Sequence, residues 1–246
     1  MRLDQSTWLE VKALIERGAG IILPTGSTEQ HGPMGLIGTD SICAEKIAEA
    51  AAEQLDCLVA PTLAYSPAPF NMAFPGTVSI SSETFQVLFR EVVSCLQLHG
   101  FKLIYVLNAH GANLEPLRGV AAEFDASFVR IRSWWEFGTV EQLRQQYYGD
   151  WEGMHATPSE IAITQATHRI VPPGEAIKAP KKLSKEYIKE HAGDRHGPPE
   201  EHRHEFPDGR VGSHSALACP EHGKELLEVA AKAVAEDFRT EMSQIR

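Results

Sequence analysis

The sequence predicts an α/β fold: a three-layer α/β/α sandwich with a mainly parallel sheet, in a single domain over residues 1–246. Two observations carry this. Short apolar runs alternate with longer segments of helical periodicity, the order that puts helices on both sides of a parallel sheet. The clearest run, Lys102-Leu103-Ile104-Tyr105-Val106-Leu107, is almost continuously apolar, as expected of a strand covered on both faces. A chain of 246 residues suits one large domain of this class and buries enough surface to need no staples.

Taken in order, Gly20-Ile21-Ile22-Leu23-Pro24 is a short apolar run closed by turn residues and reads as a buried strand. Ser41 to Leu55 is Ala-rich, with Ile42, Ile47 and Leu55 at helical spacing. Cys57-Leu58-Val59-Ala60-Pro61 reads as a second strand. Ser82 to His99 is an amphipathic helix with Phe85, Leu88, Phe89, Val92 and Leu96 on one face. Ser82 is its candidate N-cap, and Gly100 stands where a helix-ending glycine belongs. After the 102–107 strand come a helix from Asn113 to Phe124 and a strand from Ser127 to Ile131. Pro172 to Pro207 is rich in Pro, Gly, Lys, Glu and His and reads as a long surface excursion, with a short helix near Leu183–Ile188. Glu221 to Met242 is a closing amphipathic helix.

Composition excludes several function classes. The formal net charge of −10 opposes nucleic-acid binding and docking on anionic membranes. No run approaches the ~18 apolar residues of a membrane span. The start, Met1-Arg2-Leu3-Asp4-Gln5, lacks the basic and apolar regions of a signal peptide, so a cytoplasmic location is expected. Cys43, Cys57, Cys95 and Cys219 form no CxxC pair, which argues against a zinc ribbon or redox dithiol. The first three sit among apolar residues and read as small buried hydrophobes. No GxGxxG or Walker pattern occurs, so no nucleotide cofactor is expected.

Ligands of such folds bind at the carboxyl ends of the strands, and that is where chemistry-bearing residues gather. Gly26-Ser27-Thr28-Glu29-Gln30-His31-Gly32-Pro33 and Gly38-Thr39-Asp40 follow the first strand. Asn108-Ala109-His110-Gly111-Ala112-Asn113 follows the central one, and Trp151-Glu152-Gly153-Met154-His155 precedes Ser159-Glu160. Glu29, His31, Asp40 and His110 supply mixed carboxylate and imidazole groups, which suit Zn²⁺, Mn²⁺ or Fe²⁺ better than Mg²⁺ or Ca²⁺. Taken singly, each has a bland alternative: Asp40 as a helix cap, a lone histidine as a structural residue. His191, His196, His202 and His204 read as solvated residues of the excursion, and His99, His168 and His222 as helix-surface residues.

At these residues the chain resembles the creatininase family. Pro24-Thr25-Gly26-Ser27-Thr28-Glu29-Gln30-His31-Gly32-Pro33 with Gly38-Thr39-Asp40 looks like the family signature. Phe74-Pro75-Gly76-Thr77-Val78-Ser79, the Asn108–Asn113 stretch and Gly209-Arg210-Val211-Gly212 follow in the family's order. The resemblance implies a metal-dependent amidohydrolase acting on an amide-type C–N bond of a small molecule, creatinine or a formamide, with a water between two divalent ions (Zn²⁺, Mn²⁺ or both) as nucleophile. It implies that Glu29 and His110 hold one ion, that His31 and Glu160 hold the other, and that Asp40 bridges them. His155 matches a family acid–base histidine. Trp135 and Trp151 match tryptophans that close over the substrate, and Asn71 stands on the substrate side. A homo-oligomer is expected, many members being hexamers.

The chain departs from the family pattern at three places. Ala112 replaces a further glutamate ligand, leaving one ion with a weaker hold or a water in that place. Pro69-Phe70-Asn71-Met72 stands where a histidine is common, and His155-Ala156-Thr157-Pro158 replaces His-Ala-Gly-Glu. These changes put creatinine itself in doubt. They also raise an alternative: a metal-retaining binding or regulatory protein with weakened catalysis.

Overall fold

The computed structural model describes residues 1–193 and 195–245. In chain order its main elements are α1 (Trp8–Glu16), β1 (Ile21–Thr25), α2 (Thr39–Ala52), β2 (Leu58–Val59), α3 (Ser82–His99), β3 (Ile104–Asn108) and α4 (Leu114–Ala121). Then follow β4 (Val129–Ser133), α5 (Gly138–Tyr148), α6 (Pro158–Thr167), α7 (Lys185–Glu190), α8 (Pro199–Glu205) and α9 (Pro220–Gln244). The strands form a parallel sheet in the order β2-β1-β3-β4. The expected three-layer sandwich is therefore present.

The layers follow from strand alternation, successive side chains pointing to opposite faces. Ile22, Tyr105 and Leu107 face a core completed by α2, α5, α6 and α9. Ile21, Leu23, Ile104 and Val106 face the opposite core, completed by α1, α3 and α4. Each fully buried aliphatic side chain contributes roughly 1.5–3 kcal/mol, so the doubly covered β1 and β3 anchor the fold. The edge strand β4 is tied to α9 by charge. Arg132 Nε donates to Asp237 Oδ2 over 2.9 Å, and Arg130 and Arg132 both reach Glu241.

Several details differ from expectation. Ser81, not Ser82, caps α3, its side chain accepting from Thr84 N; one residue of slip is normal at a helix end. Gly100 closes the helix in the left-handed region, φ 96°, as anticipated. The second strand shrinks to Leu58–Val59. Cys43 and Cys57 are buried, but Cys95 is exposed, because it falls on the solvent side of α3. Four helices lie outside those read from the sequence: α1, α5, α6 and α8. Two of them carried capping-box signatures, Thr7 with Glu10 and Thr157 with Glu160.

The 172–207 segment is not a plain surface excursion. Its histidines were expected in solvent, yet His202 is buried and stacks between His196 and Phe206 while touching Phe70. Packing ring against ring lets the segment dock on Phe70 with little aliphatic content. His222, expected on a helix surface, is half-buried and stacks on Tyr147 at 3.7 Å.

Helices α6 and α9 cross closely at Gly223, where an added Cβ would stand 1.9 Å from the Ala162 carbonyl oxygen. Gly223→Ala should therefore destabilise the protein by about 1–3 kcal/mol through overpacking. Urea denaturation measures this; a change below about 0.5 kcal/mol would show that the crossing yields freely.

Candidate metal centre

The site is assembled where β1, β3 and β4 end in register, Thr25 beside Asn108 and Asn108 beside Ser133. Thr25 Oγ1 donates to Asn108 Oδ1 over 3.1 Å, and Asn108 Nδ2 donates to the His110 carbonyl over 2.8 Å. Asn113 Nδ2 reaches across to the Gly26 carbonyl at 3.0 Å. The loops after β1 and β3 are thereby locked together. At Gly26 a Cβ would come within 2.4 Å of Ser41 N. Only glycine allows the loop after β1 to lie on the start of α2, and this contact brings Asp40 beside Glu29. Asp40 itself sits in the first turn of α2, whose cap position is Gly38; it is not the cap.

The five residues singled out as ligands converge. Glu29, Asp40 and His110 form one buried group with all ligand atoms within 4.8 Å of one another. His31, Asp40 and Glu160 form a second, so Asp40 is common to both. His110 Nδ1 stands 3.0 Å from Glu29 Oε1 and 3.0 Å from Asp40 Oδ2. His31 Nε2 stands 2.9 Å from Asp40 Oδ1 and 3.9 Å from Glu160 Oε1. The far nitrogen of each ring meets a backbone carbonyl: His110 Nε2 that of Pro67 at 2.8 Å, His31 Nδ1 that of Glu29 at 3.1 Å. A carbonyl only accepts, so those nitrogens carry a proton in either charge state, and the inward nitrogens, facing the carboxylates, are the ones that can bind an ion once deprotonated. This is the arrangement of a metal-ligating imidazole oriented from behind.

Electrostatics point the same way. Burial opposes the charge of Asp40, yet His31 and His110 hold it well below the usual carboxylate range. Burial likewise opposes charge on Glu29, and His110 outweighs it, so this carboxyl is lowered too. Burial works against a charged His31, but Asp40, then Glu160 and Glu29, raise it to about 10. Burial pushes Glu160 up to about 8, with His31 opposing and Asp40 adding. Among the described residues the group nearest to the buried Glu29 Oε1 is His110 Nδ1, at 3.0 Å. Buried carboxylates balanced by imidazole protons fit a divalent ion in place of those protons.

A cleft of about 210 Å³ opens above this cluster. Asp40, His110, His155 and Glu160 line its floor, Trp134, Trp135 and Arg144 a wall, and Ile188, Ala192 and Gly193 of the excursion its roof. His155 Nε2 donates to the Gln30 carbonyl over 2.7 Å, while Nδ1 lies 3.7 Å from Glu29 Oε1. Burial, then the charge on His31, lowers His155 to about 4; it is a neutral imidazole at pH 7. Ala156, next to it, takes φ 56°, a left-handed conformation that non-glycine residues seldom adopt outside functional sites.

Two expected cleft residues lie elsewhere. Trp151 is packed between His214 and Lys182, whose Nζ sits 4.5 Å from the indole, and does not line the cleft. Asn71 is fully buried behind Glu29, donating to its Oε2 over 2.8 Å and accepting from Gln30 Nε2 over 2.8 Å. It holds the floor rather than facing a substrate. Ala112 lines a neighbouring cavity with Glu115 and Phe70.

Sequence reasoning gave no role to Gln30, Arg144 or Glu152. Gln30 Nε2 also donates to the Gly209 carbonyl over 2.9 Å. The Gly209–Gly212 stretch clamps His155 from the other side: Met154 N donates to Val211 O over 2.9 Å and Val211 N to His155 O over 3.2 Å. That stretch had stood out as a motif; its role needed the third dimension.

The family model for creatininase, described as creatinine amidohydrolase, matches residues 4–238. The chain belongs to the creatininase family. Among curated relatives, a mycofactocin precursor peptide peptidase of Mycobacterium ulcerans (strain Agy99) is 36% identical over 115 residues, 43% of this chain and 46% of that protein. The match therefore spans about half the length of that relative. Creatinine amidohydrolase of Pseudomonas putida is 25% identical over 187 residues, 68% of this chain and 71% of that one. A solved creatinine amidohydrolase superposes with TM-score 0.82 at 21% identity, covering 98% of this chain and 97% of the other. Two more creatininases, each 22% identical over 98% of this chain, are a manganese form (TM-score 0.76, 98% of that chain) and a mutant of Zn–Zn type (TM-score 0.76, 97% of that chain).

The hydrogen bonds of Asn71 make a prediction about the floor. Asn71→Ala leaves Glu29 Oε2 without the donor Asn71 Nδ2 and takes from Gln30 Nε2 one of its two acceptors, the Gly209 carbonyl remaining, and should lower stability by about 1–3 kcal/mol. Denaturation of the variant tests this, and wild-type stability would place Glu29 under other restraints.

Proposed function

We propose that this protein hydrolyses an amide-type C–N bond in a small substrate, with two divalent ions, Zn²⁺ or Mn²⁺, held by Glu29, His31, Asp40, His110 and Glu160. The observation that supports it most is the pair of three-residue groups sharing Asp40, a carboxylate placed as a two-ion bridge would be. The manganese and Zn–Zn creatininases favour the same two metals. When bound, the ions supply Lewis acidity and a lowered pKa for water.

The chain's own residues do the rest. Glu29 and His110 hold one position, His31 and Glu160 the other. Asn71 and the Pro67 and Glu29 carbonyls fix the rotamers behind them. His155 is held by Gln30 with its proton on Nε2, so Nδ1 is free to take up a proton and return it to the leaving nitrogen, as a general base and acid. Trp135 lies against the substrate as a wall of the cleft, and the Ile188–Gly193 roof limits access of water. Creatinine, a formamide and a short peptide are the substrate subclasses that the family reading covers. The small cleft favours a compact substrate.

A second reading, a metal-retaining binding protein without turnover, draws on Ala112 and on the altered segments Pro69–Met72 and His155–Pro158. The complete cluster beside a neutral His155 weighs against it. A hydrolysis screen of the metal-loaded protein on small amides separates the two. In an active preparation His155→Ala should retain its metal and lose about 10²–10⁴-fold in turnover. Full activity in that variant would reassign His155 to packing, and a screen without any turnover would favour the binding protein.

A further inference from the structure

The cleft wall holds a group that the hydrolytic machinery does not use. Arg144, on α5, is the one lysine or arginine among the described residues that line the cleft. Its Nε donates to Glu152 Oε1 over 2.9 Å, and its Nη1 makes a long contact of 3.4 Å with the Trp135 carbonyl. Nη2 makes no hydrogen bond among the described residues, and the side chain stays 18% exposed. The guanidinium lies 5.7 Å from the Trp134 ring, which stiffens it. Three lining residues, Gly111, Gly153 and Gly193, bring no side chain into the cleft.

We propose that Arg144 is a specificity-determining residue that binds a carboxylate carried by the substrate, which makes the substrate an amide with a free carboxylate; this rests on the hydrolytic reading given above. Glu152 orients the guanidinium through Nε and leaves the Nη edge for the ligand. Glu152 is itself fixed, since Oε1 also accepts from Ser159 Oγ. The planar fork of an arginine matches a carboxylate with two parallel hydrogen bonds, which a lysine cannot reproduce. Trp134 and Trp135 meet edge to face at 6.2 Å and place aromatic surface beside that fork. The floor would bind the scissile amide and Arg144 the distal anion, so the two anchors would fix the substrate's direction in the cleft.

The same arginine also braces the network that runs through Glu152 and Ser159 to Thr157, the cap of α6. The test must separate recognition from bracing. It uses matched pairs of small amides and N-acyl peptides that differ only in a free carboxylate against its carboxamide. Each pair is measured for kcat/KM on the metal-loaded enzyme. The expected result is a preference for the carboxylate form of about tenfold or more in the wild type. That preference should fall to near one in Arg144→Met and survive in part in Arg144→Lys. Wild-type indifference overturns the proposal. So does an Arg144→Met variant that loses activity on both members equally and keeps the ratio, because bracing alone predicts that. Calorimetric binding of the same pairs gives a second readout. Absence of turnover on every pair would count against hydrolysis, while the ratio of dissociation constants, wild type against Arg144→Met, would still decide the role of Arg144.

Discussion

The structure depends on keeping three carboxylates, Glu29, Asp40 and Glu160, out of water within one buried cluster. Isolated buried carboxylates would neutralise themselves or unfold the site. Here His31 and His110 stand between them, and the compensation is incomplete: burial pushes Glu160 up to about 8. A cluster of this kind is costly to build from side chains alone. Its natural complement is positive charge from outside the chain.

The fold serves that constraint. Doubly covered β1 and β3 give the sheet a rigid centre, and their in-register ends deliver Glu29, His31 and His110 from adjacent loops. Helix α2 brings Asp40 only because Gly26 lets the chain pass close to Ser41. Glu160 arrives from α6, where the Thr157 capping box uses one of its oxygens as a cap, Thr157 N donating to Oε1 over 2.5 Å. Glu160 is thus positioned by the same bond that starts its helix.

Much of this was legible in the sequence. The near-continuous run at 102–107 and the periodicity of 82–99 located β3 and α3 closely, because burial on both faces and on one face leave different patterns. Glu29, His31, Asp40 and His110 could be named from the Gly-flanked turns at strand ends, whereas Glu160 followed only from the family resemblance. What was not legible is contact between distant segments. No local pattern shows that His202 would pack on Phe70, that Asn71 would sit behind Glu29, or that Trp151 would face His214. Rings and amides are compatible with both solvent and core, and only the tertiary arrangement decides. The overlooked α6 is a different case: Thr157-Pro158-Ser159-Glu160 carries both a capping box and a proline at the first helical position, and the signal was present.

The Asp40-centred geometry supports the proposal that the buried cluster holds two divalent ions. Calorimetric titration of Zn²⁺ or Mn²⁺ into metal-free protein at pH 7, in buffers of different ionisation enthalpy, addresses it directly. The account predicts about two ions per chain. It also predicts proton release, because His31, raised to about 10, and Glu160, raised to about 8, must lose their protons to become ligands. Affinity should accordingly strengthen as pH rises. Failure to bind either ion after reconstitution would contradict the account and leave the cluster as a purely structural network of buried charges.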